Sequence, residues 1–342
     1  MTKKYNEIEN KLKALKIAGE ISRDFENEFF TIYEVLFDPD ITLNKIRARV
    51  ADLSVFFGTN VEIEPADGTI YLKIFKNERG AVNIGGFTQD IAGGIAAGEL
   101  PLIIGQAENG TRLYYDLTEC PHLLVAGSTG SGKSVFMHNC IVSAIFAAAN
   151  ILLIDVKRVE FAIYENIPHL AAPISYDARA AYRLLKDLNC EMSRRYELLK
   201  NNHCRNIKEY REKGGHLNYL VLFIDELADL ILHDRRIETE LVKIAQLGRA
   251  AGIHCILATQ RPDAQILSGL IRINVPSRVC FAVQKAADSR IILDQKGGEM
   301  LRGAGDGLFL PIGSKNAIRF QSPYISTAAL DDFIEKARHV ND

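Results

Sequence analysis

The stretch "HLLVAGSTGSGKSVF", His122 to Phe136, decides how the chain is read. An apolar run enters a turn rich in glycine, and the turn closes on Lys-Ser before a helical pattern begins. The spacing G-x-x-x-x-G-K-[ST] is met by Gly127, Ser128, Thr129, Gly130, Ser131, Gly132, Lys133 and Ser134. Such a turn wraps the phosphates of ATP with backbone N–H groups, and the following helix adds its positive dipole end. Lys133 is expected to reach the β- and γ-phosphates, and Ser134 to hold Mg²⁺ through its hydroxyl.

Downstream, further apolar runs each end on a polar residue: "ILLID" (151–155), "YLVLFIDE" (219–226) and "HCILATQ" (254–260). Strands buried on both faces look like this, and helices between them make the sheet mostly parallel. The expected fold is α/β, a P-loop ATPase domain with a mostly parallel sheet preceded by a smaller α+β domain. Ligands of such sheets collect at the carboxyl ends of the strands. Asp225 is therefore expected to anchor Mg²⁺, and Glu226 beside it to take a proton from attacking water. Gln260, at another strand end, is placed to sense the γ-phosphate or orient water. These groups leave transition-state charge to be neutralised, a task that many ATPases give to an arginine from a neighbouring subunit. Arg249, between a helix and the strand of Gln260, is the candidate, with Arg278 and Arg302 in reserve.

The rest of the chain sets limits. It has 342 residues, 47% of them hydrophobic, and 41 Lys and Arg against 43 Asp and Glu, a net charge of −2. No global positive field draws it to a polyanion, so any basic surface is local. Six scattered cysteines lack zinc or C-x-x-C spacing and are read as reduced and mostly buried. The N-terminus carries no signal-peptide pattern. The most apolar run, Ile141 to Ile154, is about 14 residues, short of the ~18–20 a bilayer needs. A cytoplasmic location is expected. Tyr5, Ile8, Leu12 and Leu15 fall at helical spacing and are read as a helix covering its own domain.

The boundaries expected are an N-terminal helix over 1–27, a small α+β domain over 28–117 and the ATPase domain over 118–342. In the small domain, "EFFTIYEVLF" and "TIYLKIF" read as strands. Ile41, Ile46, Val50, Leu53 and Phe57 form one helical stripe, and "PADGT" and "AENGTR" read as hairpin turns. Arg179 to Lys213 reads as one mixed helix with a solvated face, Glu191 and Arg195 pairing four apart.

The chain resembles the motor region of the FtsK/SpoIIIE DNA translocases. The resemblance runs in order through "HLLVAGSTGSGKSV" (122–135), "ENIPHL" (165–170), "EMSRRYELL" (191–199), "RNIKEY" (205–210) and "FIDELADL" (223–230). It continues through "GRAAGIHCILATQRP" (248–262), "GLIRINVPSRV" (269–279), "DSRIILDQ" (288–295) and "GEMLRGAGDGLFLP" (298–311). It implies a hexameric ring of RecA-like subunits moving along double-stranded DNA threaded through its centre. The positions matching the DNA-gripping loops are Arg261, Arg272 and Arg290. Where the family has a lysine four residues before the last of these, this chain has Ala286, with Lys285 next to it. Between Asp155 and Lys157 the family's proline is Val156. The resemblance also brings expectations of N-terminal membrane helices and a C-terminal winged helix. Neither is found here, the tail falling short of the roughly 60 residues a winged helix needs. That pattern suits a minimal mobile-element or phage-type homologue, or a shortened chain. A membrane-anchored, recombination or transfer partner is not visible in the sequence. Two alternatives remain: a conjugative coupling ATPase, or the ATPase module of a type VII-like protein secretion system.

Overall fold

The computed structural model describes residues 2–26, 30–66, 69–76 and 82–339. They divide into two compact units, Met1–Ala81 and Val82–Asp342. The first contains α1 (Thr2–Ala14), β1 (Gly19–Glu26), β2 (Phe30–Phe37), α2 (Leu43–Arg47), α3 (Val50–Phe57), β3 (Val61–Ala66) and β4 (Thr69–Phe75). Its four strands form an antiparallel sheet in the order β1-β2-β4-β3. Ile8 and Leu12 of α1 join Tyr33, Ile46, Leu53 and Leu72 in one buried core. The N-terminal helix thus belongs to this unit, and its apolar stripe is consumed there. The stripe from Ile41 to Phe57 is two short helices, because the first closes at Ala48 and the second starts at Val50. Glu28 and Phe29 of the first strand reading, and the Asp67-Gly68 turn, lie outside the described residues.

The second unit contains α4 (Gly85–Ala92), β5 (Pro101–Ala107), β6 (Arg112–Asp116), β7 (His122–Ala126), α5 (Lys133–Phe146) and β8 (Asn150–Ile154). It continues through α6 (Ala178–Asn201), α7 (Ile207–Glu212), β9 (Leu220–Ile224), α8 (Leu227–His233), α9 (Arg236–Ala251) and β10 (Ile253–Thr259). Last come α10 (Gly269–Asn274), β11 (Ser277–Phe281), α11 (Ala286–Leu293), β12 (Asp306–Leu310), β13 (Ile318–Gln321) and α12 (Thr327–Arg338). Nine strands form one sheet in the order β6-β5-β13-β12-β11-β7-β10-β9-β8. From β11 to β8 the neighbours are parallel. From β11 to β6 they are antiparallel. The expected parallel sheet is therefore the half that carries β7, β9 and β10, and an antiparallel extension continues it.

That extension moves the boundary from 117/118 to 81/82. The β5–β6 hairpin, with its turn at Asn109-Gly110, pairs through β13 with the large sheet: Phe320 faces Ala107 and Gln321 faces Gln106. Its backbone is also tied to α5, where Ser143 Oγ accepts the Ile103 N–H at 3.1 Å.

Local chemistry sets the ends of the helices. Asp177 caps α6 by accepting the Ala180 N–H at 2.7 Å. α9 ends at Gly252, whose φ of +69° turns the chain into β10 without a side-chain penalty. α6 and α7 are two helices, not one. Arg195 is buried, its guanidinium bonded to the Ala251 carbonyl at 2.9 Å as well as to Glu191, so that part of the expected solvated face is an interior contact. Four of the six cysteines are buried, Cys120 is half-buried, Cys190 is exposed, and all are free. Among the described residues, no helix is long and apolar enough to cross a membrane.

Candidate functional site: the glycine turn and the carboxyl edge of the sheet

β7 is buried at every position and delivers the chain to the turn at the carboxyl edge. The Gly127 N–H donates to the Thr259 carbonyl and the Ser128 N–H to the Ala282 carbonyl, so the turn hangs between the exits of β10 and β11. Gly132 has φ +105°, and a Cβ there would lie 2.4 Å from the Gly305 nitrogen. Only glycine fits that contact. The Gly305 N–H in turn donates to the Ser131 carbonyl at 2.9 Å. Ser131 is 2% exposed and its hydroxyl has no partner. A buried orphan hydroxyl and a helix N-terminus at Lys133 both suit a phosphate chain. A cavity of about 450 Å³ opens from this turn.

The strand ends bring the expected groups together. Lys133, 3% exposed, donates from Nζ to the Asp225 carbonyl at 3.0 Å and to Asp225 Oδ1 at 2.8 Å. Burial pushes the Asp225 carboxyl above its ordinary pKa, and the Lys133 ammonium works against that push. Glu226 is also buried. Its Oε1 accepts the Thr259 hydroxyl at 2.6 Å, and both oxygens accept the Gln260 N–H at 3.1 Å. The Lys157 ammonium donates to Oε2 at 3.2 Å. Across the turn, the Thr129 hydroxyl donates to Gln260 Oε1 at 3.2 Å. A continuous polar path therefore runs from the glycine turn through Gln260 to Glu226.

Sequence reasoning missed Glu160. It lies in the loop after β8, and its Oε1 accepts the Ser134 hydroxyl at 2.8 Å. The His138 imidazole, 3.7 Å away, and that hydroxyl hold its carboxyl below the usual range. Asp155, fully buried at the end of β8, fixes the loop by accepting the Glu160 and Phe161 N–H groups. The available signal was the acid closing "ILLID", a strand end like those of Asp225 and Gln260, with Glu160 five residues on. Ser134 and Asp225 offer two oxygen donors. That suits Mg²⁺, which takes one or two protein oxygens and fills its shell from phosphates and water. Among the described residues, no cluster of three or more His, Cys, Asp or Glu forms an all-protein metal cage.

Residues 96–264, spanning the turn, the Asp225–Glu226 strand end and Gln260, match the FtsK/SpoIIIE family. The chain belongs to the FtsK/SpoIIIE family. It is 34% identical to the DNA translocase FtsK of Bacillus cereus, over 96% of this chain and 44% of that protein. The same figures hold for the DNA translocase SpoIIIE of Bacillus subtilis. FtsK of Streptococcus pneumoniae is 43% identical over 70% of this chain and 32% of its own length. The chain thus spans less than half the length of these relatives. Among solved structures, the conjugation coupling protein TcpA of pCW3, a monomer form with ATPγS, superposes with a TM-score of 0.72 at 25% identity. That match covers 98% of this chain and 99% of TcpA. The cytoplasmic domain of the type VII secretion ATPase EccC from Thermomonospora curvata gives 0.64 at 25% identity, over 70% of this chain and 31% of that one.

The other residues singled out from the sequence and from the FtsK/SpoIIIE resemblance are spread over the unit. Arg249 lies in the last turn of α9, at the amino end of β10 and so at the edge opposite the glycine turn. Its Nε donates to the Thr118 carbonyl and its Nη2 pairs with Glu119, both at 3.1 Å. Within one chain it does not reach the turn. Arg278 is buried, donating to the Ile292 carbonyl and pairing with Asp294. Arg302 stands in the loop that packs Gly305 on the turn, its N–H donating to Asp306. Arg261 follows β10 and is exposed, its backbone bonded to Thr259. Lys285 precedes α11 and Arg290 lies on it, both exposed. Arg272, on α10 before β11, is half-buried and pairs with Asp294 at 3.5 Å.

Proposed function

We propose that this chain is the motor segment of an ATP-driven double-stranded DNA translocase, working in the cytoplasm as a ring, six copies in the form the family resemblance implies. One observation carries the reading: the bonded path from Thr129 through Gln260 to Glu226, whose middle member Gln260 directly precedes the exposed Arg261. It links the phosphate turn to a segment suited to gripping DNA. The relatives named as DNA translocases support the same conclusion.

In this reading the N–H groups of Gly127 to Ser134 cradle the phosphates of ATP, and Lys133 turns from Asp225 to the β- and γ-phosphates. Ser134 and Asp225 would hold Mg²⁺, which supplies charge neutralisation on the phosphate oxygens. Glu226, paired with the Lys157 ammonium, accepts a proton from the attacking water. Gln260 reports the γ-phosphate: when its bond to Thr129 changes, the backbone it shares with Arg261 moves. Arg261, Lys285, Arg290 and, once released from Asp294, Arg272 contact DNA phosphates, which carry no sequence information. A net charge of −2 permits this because only the surface facing DNA has to be basic.

Arg249 would serve the site of a neighbouring copy, after leaving Glu119. Mixing inactive Lys133→Ala and Arg249→Ala chains should then restore part of the ATPase activity, and a mixture as dead as its components would remove Arg249 from that role. The main reading is tested by ATPase assay with and without duplex DNA, and by displacement of a third strand from a triplex. Duplex should stimulate hydrolysis and drive displacement, and both should vanish in Lys133→Ala. An ATPase rate indifferent to DNA would overturn it.

A second reading, a conjugation coupling ATPase, has one specific support: the match to TcpA spans nearly the whole of both chains. Stimulation by single-stranded DNA well above that by duplex would favour it.

A further inference from the structure

The cavity at the glycine turn is lined by the turn and the first residues of α5, by Ala304 and Gly305, which pack on the turn, and by Ser322, Pro323 and Tyr324. Phosphates held in the turn leave the base of a nucleoside triphosphate in the same cavity as Tyr324, and about 450 Å³ is of the size that small-ligand sites fill.

Tyr324 lines this cavity and is 59% exposed, a large ring that the protein does not cover with its own side chains. Its backbone is nevertheless fixed. The Tyr324 N–H donates to the Val82 carbonyl at 2.9 Å, and Tyr324 forms a parallel bridge with Asn83. Asn139 holds the preceding residues: its Nδ2 donates to the Pro323 carbonyl at 2.7 Å and to Ser322 Oγ at 3.3 Å. Asn139 is fully buried on α5, the helix that opens with Lys133. The Ser322 N–H also donates to the Gly305 carbonyl, and Gly305 is bonded to Ser131 of the turn. One frame therefore holds both the glycine turn and the backbone of Tyr324.

We infer that Tyr324 is the platform on which the nucleobase stacks, with Pro323 beside it. This rests on the reading of the turn as a triphosphate site. A ring face binds any base by its π-face and burial, so the platform adds affinity without choosing among bases, and the phenol hydroxyl has no part in it.

The test uses the full chain and two probes, ATPγS and inorganic tripolyphosphate, with affinities from calorimetry. Tyr324→Ala should weaken ATPγS about ten-fold, the usual scale of base stacking on an aromatic side chain. It should leave tripolyphosphate within two-fold. Tyr324→Phe should bind ATPγS as the parent does. Unchanged ATPγS affinity in Tyr324→Ala, an equal loss for both probes, or a loss in Tyr324→Phe as large as in Tyr324→Ala would each overturn the assignment. Lys133→Ala separates the two readings: if it leaves tripolyphosphate binding intact, the phosphate site is wrong, whatever Tyr324 does.

Discussion

Lys133 Nζ lies 2.8 Å from Asp225 Oδ1, with both side chains 2% exposed. Each therefore depends on the other for its solvation. Removing the lysine alone leaves a carboxylate buried without its counter-charge, which costs about 3–5 kcal/mol. Part of that cost is escaped by protonation, since burial already raises the Asp225 pKa. Lys133→Ala should thus lose stability as pH rises above the ordinary carboxylate range, where the unfolded chain has given up the proton that the folded one retains. Lys133→Ala with Asp225→Asn should recover much of the melting temperature while still failing to bind ATPγS. A double variant no more stable than Lys133→Ala would show that the carboxylate was not the source of the loss.

The sequence made this site legible because parallel topology gathers chemistry that is scattered along the chain. β7, β9 and β10 are neighbours, so the ends of "HLLVA", "LVLFIDE" and "CILATQ" must meet at one edge. Membership of the β5–β6 hairpin was not legible. "PLIIGQAENGTRLYYD" reads as a hairpin wherever it pairs, and its partner Phe320 lies more than two hundred residues away with no local signal. Arg195 misled for the opposite reason. Its i,i+4 spacing to Glu191 is that of a surface pair, whereas α6 packs on α9 and takes the guanidinium inside to Ala251. Glu160 sits in an irregular loop five residues past the strand end at Asp155, where no periodicity marks a residue as facing Ser134.

Glu226 keeps its partners when its charge is removed. In Glu226→Gln the side-chain carbonyl can still accept from Thr259 and the Gln260 N–H, so the fold of the edge should hold. What disappears is the basic oxygen beside Lys157. ATPγS affinity should stay within a few-fold of the parent, while ATP turnover should fall by about 10²–10⁴. Single-turnover kinetics separate the two, and full turnover in the glutamine variant would remove Glu226 from its role as base.

Glu160 stands one hydrogen bond behind the hydroxyl assigned to Mg²⁺. Groups so placed orient the ligand and add negative potential, and losing one commonly costs about ten-fold or more in metal affinity. In Glu160→Gln an amide still bonds Ser134 but the charge is gone. The Mg²⁺ concentration giving half-maximal ATPase should rise about ten-fold, with metal-free ATPγS binding little changed. An unaltered Mg²⁺ titration would place Glu160 outside the metal's environment.

His122 and His254 give the fold an acid limit independent of the nucleotide edge. Both are fully buried, and burial lowers His122 to a pKa of about 3 and His254 to about 4. Asp116 opposes the shift at His254, while Arg195 and Arg249 reinforce it. The unfolded chain titrates near 6.5 at both positions and so binds more protons than the folded chain below that pH. Their contribution is complete above about 6.5 and is lost as pH falls toward 4, by up to about 1.4 kcal/mol per pH unit for each imidazole. His122 Nδ1 accepts the Cys255 N–H, and His254 Nδ1 donates to the Pro121 carbonyl. Asparagine can supply either bond without titrating. Urea unfolding of His122→Asn with His254→Asn between pH 7 and 4.5 should show a shallower loss of stability than the parent, and an identical slope would mean that other groups set the acid limit.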